Sequence, residues 1–351
     1  NTNLGNATTG NDALTLTVTG TSALASDLIG LDDKTSVNVK ADATVDTITG
    51  TAANIQTVLE AAGIDTANDV NVNVTSGNAS VAEEKAIDVA TTGIITATIA
   101  EGDVDSLKTL TSSDVTDHAL NITVTDTSAT AVELNTIDSV TSVNVNAAAI
   151  TNIESSDIAD VKTLITNATS AGIDTNWDVI ISNTTVSAAD AKIVNGGTSG
   201  TIDISASTTI NGTAAELTDI YSTNSTQYNG LGNENITIDD AVSISQATTI
   251  AGYTSANTNI TLSAASIDAT DITALNSANG AGTIDGSNLT TINGSISEIN
   301  TALSDLDTDP SNFNSTLDSS SESASDISTL NTTNGTGTVD ASAVTSVSGT
   351  S

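Results

Sequence analysis

The chain has no cysteine and no methionine, and all six of its basic residues are lysine. It carries one histidine (His118), one proline (Pro310) and few aromatics: Trp177, Phe313, Tyr221, Tyr228 and Tyr253. Each absence excludes a class of function. Without Cys there is no disulfide framework or thiol nucleophile, and with a single His there is no zinc finger, iron–sulfur or haem centre. Six Lys against 43 acidic residues leave a net charge of −37 over 351 residues. Such a chain repels nucleic-acid phosphates and anionic lipid surfaces alike. No apolar run approaches the length of a membrane-spanning helix. Solenoid lyases lean on Arg and Lys to stabilise an enolate and on aromatics to hold sugar, and these are the residues in short supply. No Ser, His and Asp are marked as a triad, and no carboxylate pair is marked for glycoside hydrolysis. The composition points away from an enzyme.

What is present is order. The usual signature of disorder is low hydrophobicity with high net charge. Here mean hydropathy is slightly positive, and Ala, Val, Ile and Leu recur at regular spacing. Ala13-Leu-Thr-Leu-Thr-Val-Thr-Gly-Thr-Ser-Ala23 matches Ala119-Leu-Asn-Ile-Thr-Val-Thr-Asp-Thr-Ser-Ala129, and Thr35-Ser-Val-Asn-Val39 matches Thr141-Ser-Val-Asn-Val145. A shorter phrase, Ile-x-Gly-Thr/Ser, returns at Ile48, Ile210 and Ile292, and with Val at Val347. These recurrences give a unit of about 25–30 residues, with alternating variants forming a double unit of about 50–57.

Each phrase closes a segment of period-2 β-branched residues, as in Val143-x-Val145-x-Ala147-x-x-Ile150-x-x-Ile153. Alternation reads as a strand buried on one face, and the three-residue step suits a corner. After the phrase the period becomes helical: Ile55, Val58, Leu59 and Ala62; Ile158, Val161 and Ile165; Ile296, Ile299, Leu303 and Leu306. The Thr or Ser after Gly is placed as an N-cap, and Thr213-Ala-Ala-Glu216 completes a capping box. Ala-Gly-Ile at Ala62 and Ala171 offers a Gly to stop the helix. A unit this short cannot bury its own apolar stripe, so neighbours must stack. The expected fold is a repeat solenoid of about a dozen coils, with parallel β strands on one side and short helices on the other (β/α or β-helix-like). Residues 1–222 read as regular coils and 223–351 as less regular ones, with surface insertions at 224–235 and 307–323. Residues 344–351 read as the strand and cap of a coil without its helix, which implies a segment of a longer polypeptide or a neighbouring chain supplying the next coil.

The stretch Thr-Thr-Ile-Asn-Gly-Thr-Ala-Ala-Glu at 208–216 and Gly-Thr-Val-Asp-Ala-Ser at 337–342 resemble the repeat regions of giant secreted bacterial cell-surface proteins, those of marine cyanobacteria among them. The resemblance covers most of the chain and implies a surface, adhesion or motility role, secretion and calcium stabilisation. The Gly-Gly-x-Gly-x-Asp nonapeptide of RTX repeats is absent, so that calcium mechanism does not carry over.

Candidate sites are few. Asp305-Leu-Asp307-Thr-Asp309 has the opening rhythm of a calcium loop, but Pro310 stands where an EF-hand needs Gly. Asp239-Asp240 and Asp32-Asp33 are weaker versions. Divalent cations between coils or molecules would also relieve the self-repulsion of so acidic a surface. His118 aligns with Asp12 and reads as a surface-turn substitution. Tyr228, Tyr221 and Tyr253 are the natural contacts for a surface glycan, with the loop around Tyr228 foremost. Thr-x-Thr stretches are also used by ice-binding solenoids, but the equivalent positions here wander among Asn, Asp and Ser. The expectation is an extracellular structural protein that associates with copies of itself into a surface layer, filament or adhesin stalk. The alternative is a carbohydrate-binding adhesin or phage-fibre module.

Overall fold

The computed structural model describes residues 12–110 and 118–349. Asp117, beside His118, and the final residues 350–351 lie outside that set. The fold is α/β, with parallel sheets, helices between their strands and no closed barrel. It divides into two compact units, Asn1–Asp178 and Val179–Ser351.

In the first unit the strands Ser22–Leu24, Thr47–Gly50, Asn71–Val74, Ile95–Thr98 and Ala119–Asn121 form one parallel sheet in chain order. Helices Ala25–Asp32, Ala52–Glu60, Val81–Ala90 and Val104–Leu107 each follow a strand. The register places Ala23, Ile48 and Val72 side by side on the buried face, and Ala97 beside Leu120. The second unit repeats the scheme. Thr185–Ser187, Thr209–Gly212, Asn235–Val242, Thr258–Leu262 and Ile284–Asp285 make one parallel sheet. Ser266–Asp268, Thr291–Asn293, Asn314–Thr316 and Val339–Asp340 make another. Facing residues such as Asn259 and Thr283 stand 24 residues apart, slightly tighter than the spacing of the sequence phrases.

The three-residue step is a turn. Ile150 donates its amide to the Ala147 carbonyl, as Leu289 does to Gly286 and Val344 to Ala341. The corner is held by an Asx turn, in which Asp203, Asp285 and Asp340 accept the amides of Ser205, Ser287 and Ser342 at 2.8–2.9 Å. Side chains on the inner face are mostly Ala, Val, Ile and Leu, which suit the narrow space between sheets and helices. Burying each Ile or Leu stabilises by about 1.5–3 kcal/mol. Trp177 and Phe313 are the largest side chains fully enclosed.

Helices start where the caps predict: Thr51 and Ser295 accept the amides of Asn54 and Glu298, and Thr213 with Glu216 forms the complete capping box. Their ends differ from expectation. The helix Ala52–Glu60 stops before Gly63, and Ile158–Thr166 well before Gly172. Gly172 is needed for another reason. It lies at φ +59, and a Cβ there would sit 1.8 Å from the carbonyl oxygen of Val145 in the preceding repeat. The stretches expected as insertions are also corrected. Tyr228–Asn229 pairs with Ile202–Asp203, and Asn314–Thr316 pairs with Thr291–Asn293. Phe313 and Leu317 are buried, so residues 307–323 are an in-register repeat whose aromatic disguises the pattern.

Candidate functional site

Polar side chains join one repeat to the next by three recurring devices. The first is at the helix N-terminus. An N-cap side chain, alone or with a capping box, leaves the first helical amide without an acceptor. In several repeats a side chain from the following repeat supplies it: Glu101 to Val81 at 2.9 Å, Asp126 to Val104 at 2.7 Å, Ser156 to Ala131 at 3.0 Å, Asp240 to Ala214 at 2.8 Å and Glu322 to Ile296 at 3.3 Å. A carboxylate there also meets the positive end of the helix dipole.

The second device is a threonine at the return from helix to strand. Thr91 donates to the Val70 carbonyl at 2.6 Å and accepts the Gly93 amide at 3.1 Å. Thr35, Thr141 and Thr254 make the same bridge to Leu14, Leu120 and Glu234. With Thr198, which accepts Gly200, these threonines recur at the spacing of the double unit. The third device is an exposed Asn whose Oδ1 takes both the amide and the hydroxyl of a Thr 24 residues on, as Asn312 does for Thr336 and Asn314 for Thr338. The outward ranks of the strands mix Thr, Asn and Asp in register (Asn293, Thr316 and Asp340 stand in one row).

The acidic candidates enter these devices rather than a common cluster. Asp240 caps Ala214, and Asp239 accepts from Asn211 at 3.1 Å. Asp305 accepts from Asn276 at 2.9 Å, and Asp307 takes the Ile284 amide at 2.8 Å. Asp309 stands apart, its carboxyl pushed above the usual range by burial. Among the described residues no three acidic or His side chains are grouped to hold a metal ion.

The tyrosines are likewise engaged. Tyr228 is buried, and its hydroxyl donates to the Ala191 carbonyl at 3.1 Å. Burial raises its pKa. The expected glycan contact at Tyr228 is thus corrected to a core position. Tyr221 and Tyr253 stack with centroids 5.3 Å apart and planes 3° from parallel. Tyr221 donates to Glu234, a buried carboxylate that also takes the amides of Gly232 and Asn233. Burial first, and Glu234 second, raise the phenol's pKa.

One cluster escaped the sequence reading. His118 is buried, not in a surface turn. Its Nδ1 accepts the Ile95 amide at 3.1 Å, which leaves the proton on Nε2, 2.8 Å from Asp88 Oδ1. One turn before Asp88 on the helix Val81–Ala90 stands Glu84, 0 % exposed, with neither carboxylate oxygen hydrogen-bonded. The signal was in the repeats: every other α-helix among the described residues has an apolar residue at its fourth position, as in Ile55, Leu134, Leu217, Ile272 and Ile299.

Neither a protein-family model nor a curated protein matches the chain. No helix among the described residues is long and apolar enough to cross a membrane.

Proposed function

We propose that the stacked repeats form solenoid rods and that the protein is an extracellular structural repeat protein. It self-assembles with copies of itself into a surface layer, filament or adhesin stalk. The observation that carries this reading is the use of polar side chains to fasten one repeat to the next, from helix caps through threonine bridges to Asn–Thr pairs. A protein organised this way spreads its stability along the chain, as a stiff scaffold requires. The charge of −37 keeps such a rod hydrated and dispersed in salt. Scarce lysine leaves few sites for trypsin-like proteases, which suits life outside the cell. Divalent cations act in this reading between acidic surfaces of neighbouring molecules.

Negative-stain electron microscopy of the purified native material, with calcium and after EGTA, tests the proposal. Filaments or sheets that separate into rods on chelation are expected, with the melting temperature of the rods little changed. Isolated rods indifferent to calcium would overturn the assembly reading and favour a surface-binding module.

A further inference from the structure

A buried carboxylate without a hydrogen-bond partner cannot stay ionised cheaply, because nothing replaces the water it has lost. Glu84 is in that position, and of the two charges that act on it the stronger, Asp88, has the same sign. Asp88 lies one turn along the same helix, also buried, and is held by His118, just before the strand Ala119–Asn121. Burial first, then the charge of Asp88, push the Glu84 carboxyl up to about 7, with Lys85 opposing weakly. The packed helix Ala52–Glu60 carries one titratable side chain, Glu60, which is exposed and bonded to Gln56. The strands Asn71–Val74 and Ile95–Thr98 carry none. In the other α-helices the same position is an Ile, Leu, Val or Ala, buried in all but the last of them. Glu84 therefore occupies a core position that it fills well only while it holds a proton.

We propose that the Glu84–Asp88–His118 cluster is a proton-dependent latch in the first unit: the helix Val81–Ala90 is locked against Ala52–Glu60 in mild acid and opens locally as pH rises. The sign follows from linkage. The folded state keeps the Glu84 proton up to about pH 7, whereas the unfolded chain releases it near pH 4.5. Stability from this group is complete below about 4.5 and lost progressively as pH rises towards 7. The opening equilibrium of this helix then rises on the order of 10²-fold across that window. This inference concerns one helix and does not depend on how the rods assemble.

Amide hydrogen exchange between pH 4.5 and 8.5, corrected for the intrinsic pH dependence of exchange, tests it. In the wild type, opening of Val81–Ala90 should rise on the order of 10²-fold by pH 7.5, while the helix Ile296–Asp305 stays level. In Glu84→Gln the rise at Val81–Ala90 should disappear. Glu84→Leu, which restores the residue type of the other helices, should protect the helix at pH 8 more than the wild type does. An equal slope in wild type and both variants overturns the latch. So does a Glu84→Leu variant that is folded yet no better protected at pH 8.

Discussion

Removing the carboxylate that one repeat lends to its predecessor is the sharpest test of how the repeats are joined. Asp240 lies on the strand Asn235–Val242, and its Oδ1 accepts the Ala214 amide at 2.8 Å. The same helix terminus is already served from within: Thr213 takes the Glu216 amide, and Glu216 takes that of Thr213. Asp240→Ala therefore strands one donor and removes one charge from the helix N-terminus. A hydrogen bond to a charged group contributes about 1.5–3 kcal/mol and the dipole interaction about 0.3–1. These overlap, and water reaches a part-buried site, so a net loss of about 1–2 kcal/mol is expected. Asp240→Asn keeps an acceptor and gives up the charge, for a loss of about 0.5–1 kcal/mol. For a unit of this size about 1 kcal/mol moves the midpoint by about 2–4 °C, so the alanine variant should melt about 3–6 °C lower by circular dichroism. Added salt should narrow the gap between wild type and Asn but not that between Asn and Ala. Exchange at the Ala214 amide should quicken in the same order. If Asn is as damaging as Ala, or neither departs from wild type, Asp240 does not join the repeats.

Two further substitutions probe the close contacts. Thr91→Val removes the bridge to Val70 and leaves the Gly93 amide without its acceptor; a loss of about 1–3 kcal/mol and faster exchange at Gly93 are expected, with Thr91→Ser near wild type. Gly172→Ala should stop the first unit from folding, since its Cβ would meet the Val145 carbonyl at a positive φ. The contrasting Gly30→Ala, in open space on the helix Ala25–Asp32, should raise stability by about 0.5–1 kcal/mol in urea titrations.

The parts of the fold legible in the sequence were those written locally. Thr51, Thr213 and Ser295 announce their helices because an N-cap hydroxyl and the amide it accepts lie three residues apart. The corner at Ala147 to Ile150 shows as a three-residue step because the chain must turn between two inward side chains. Contacts between repeats were harder to read. Gly63 and Gly172 looked like helix stops, yet Gly172 is required by a carbonyl of the preceding repeat. Asp239, Asp240, Asp305 and Asp307 looked like a cation's ligands because carboxylates clustered in sequence suggest convergence; in the fold their partners are a backbone amide or an Asn of another repeat. His118 and Tyr228 were misplaced for one reason: the burial of a lone polar side chain depends on the neighbouring repeat. Glu84 could have been found by aligning the helices and asking which residue breaks an apolar column.

The charge imbalance and the architecture explain each other. With six basic residues for 43 acids, most carboxylates cannot find a cation, and the backbone is the remaining donor. The fold places them there: Asp103 as an N-cap, Asp340 at a corner, Glu298 in a capping box. Amides of Ser106, Ser342 and Ser295 hold these three below the usual carboxylate range. Their stability is present above the unfolded pKa and is lost as pH falls through the folded one. Glu84 has the opposite sign, because its oxygens meet no donor at all. Acid should therefore loosen these helix starts and corners, while rising pH should loosen the helix Val81–Ala90. Hydrogen exchange resolved by region would separate the two, and a single uniform response in both directions would contradict the assignment of acceptors made from the geometry.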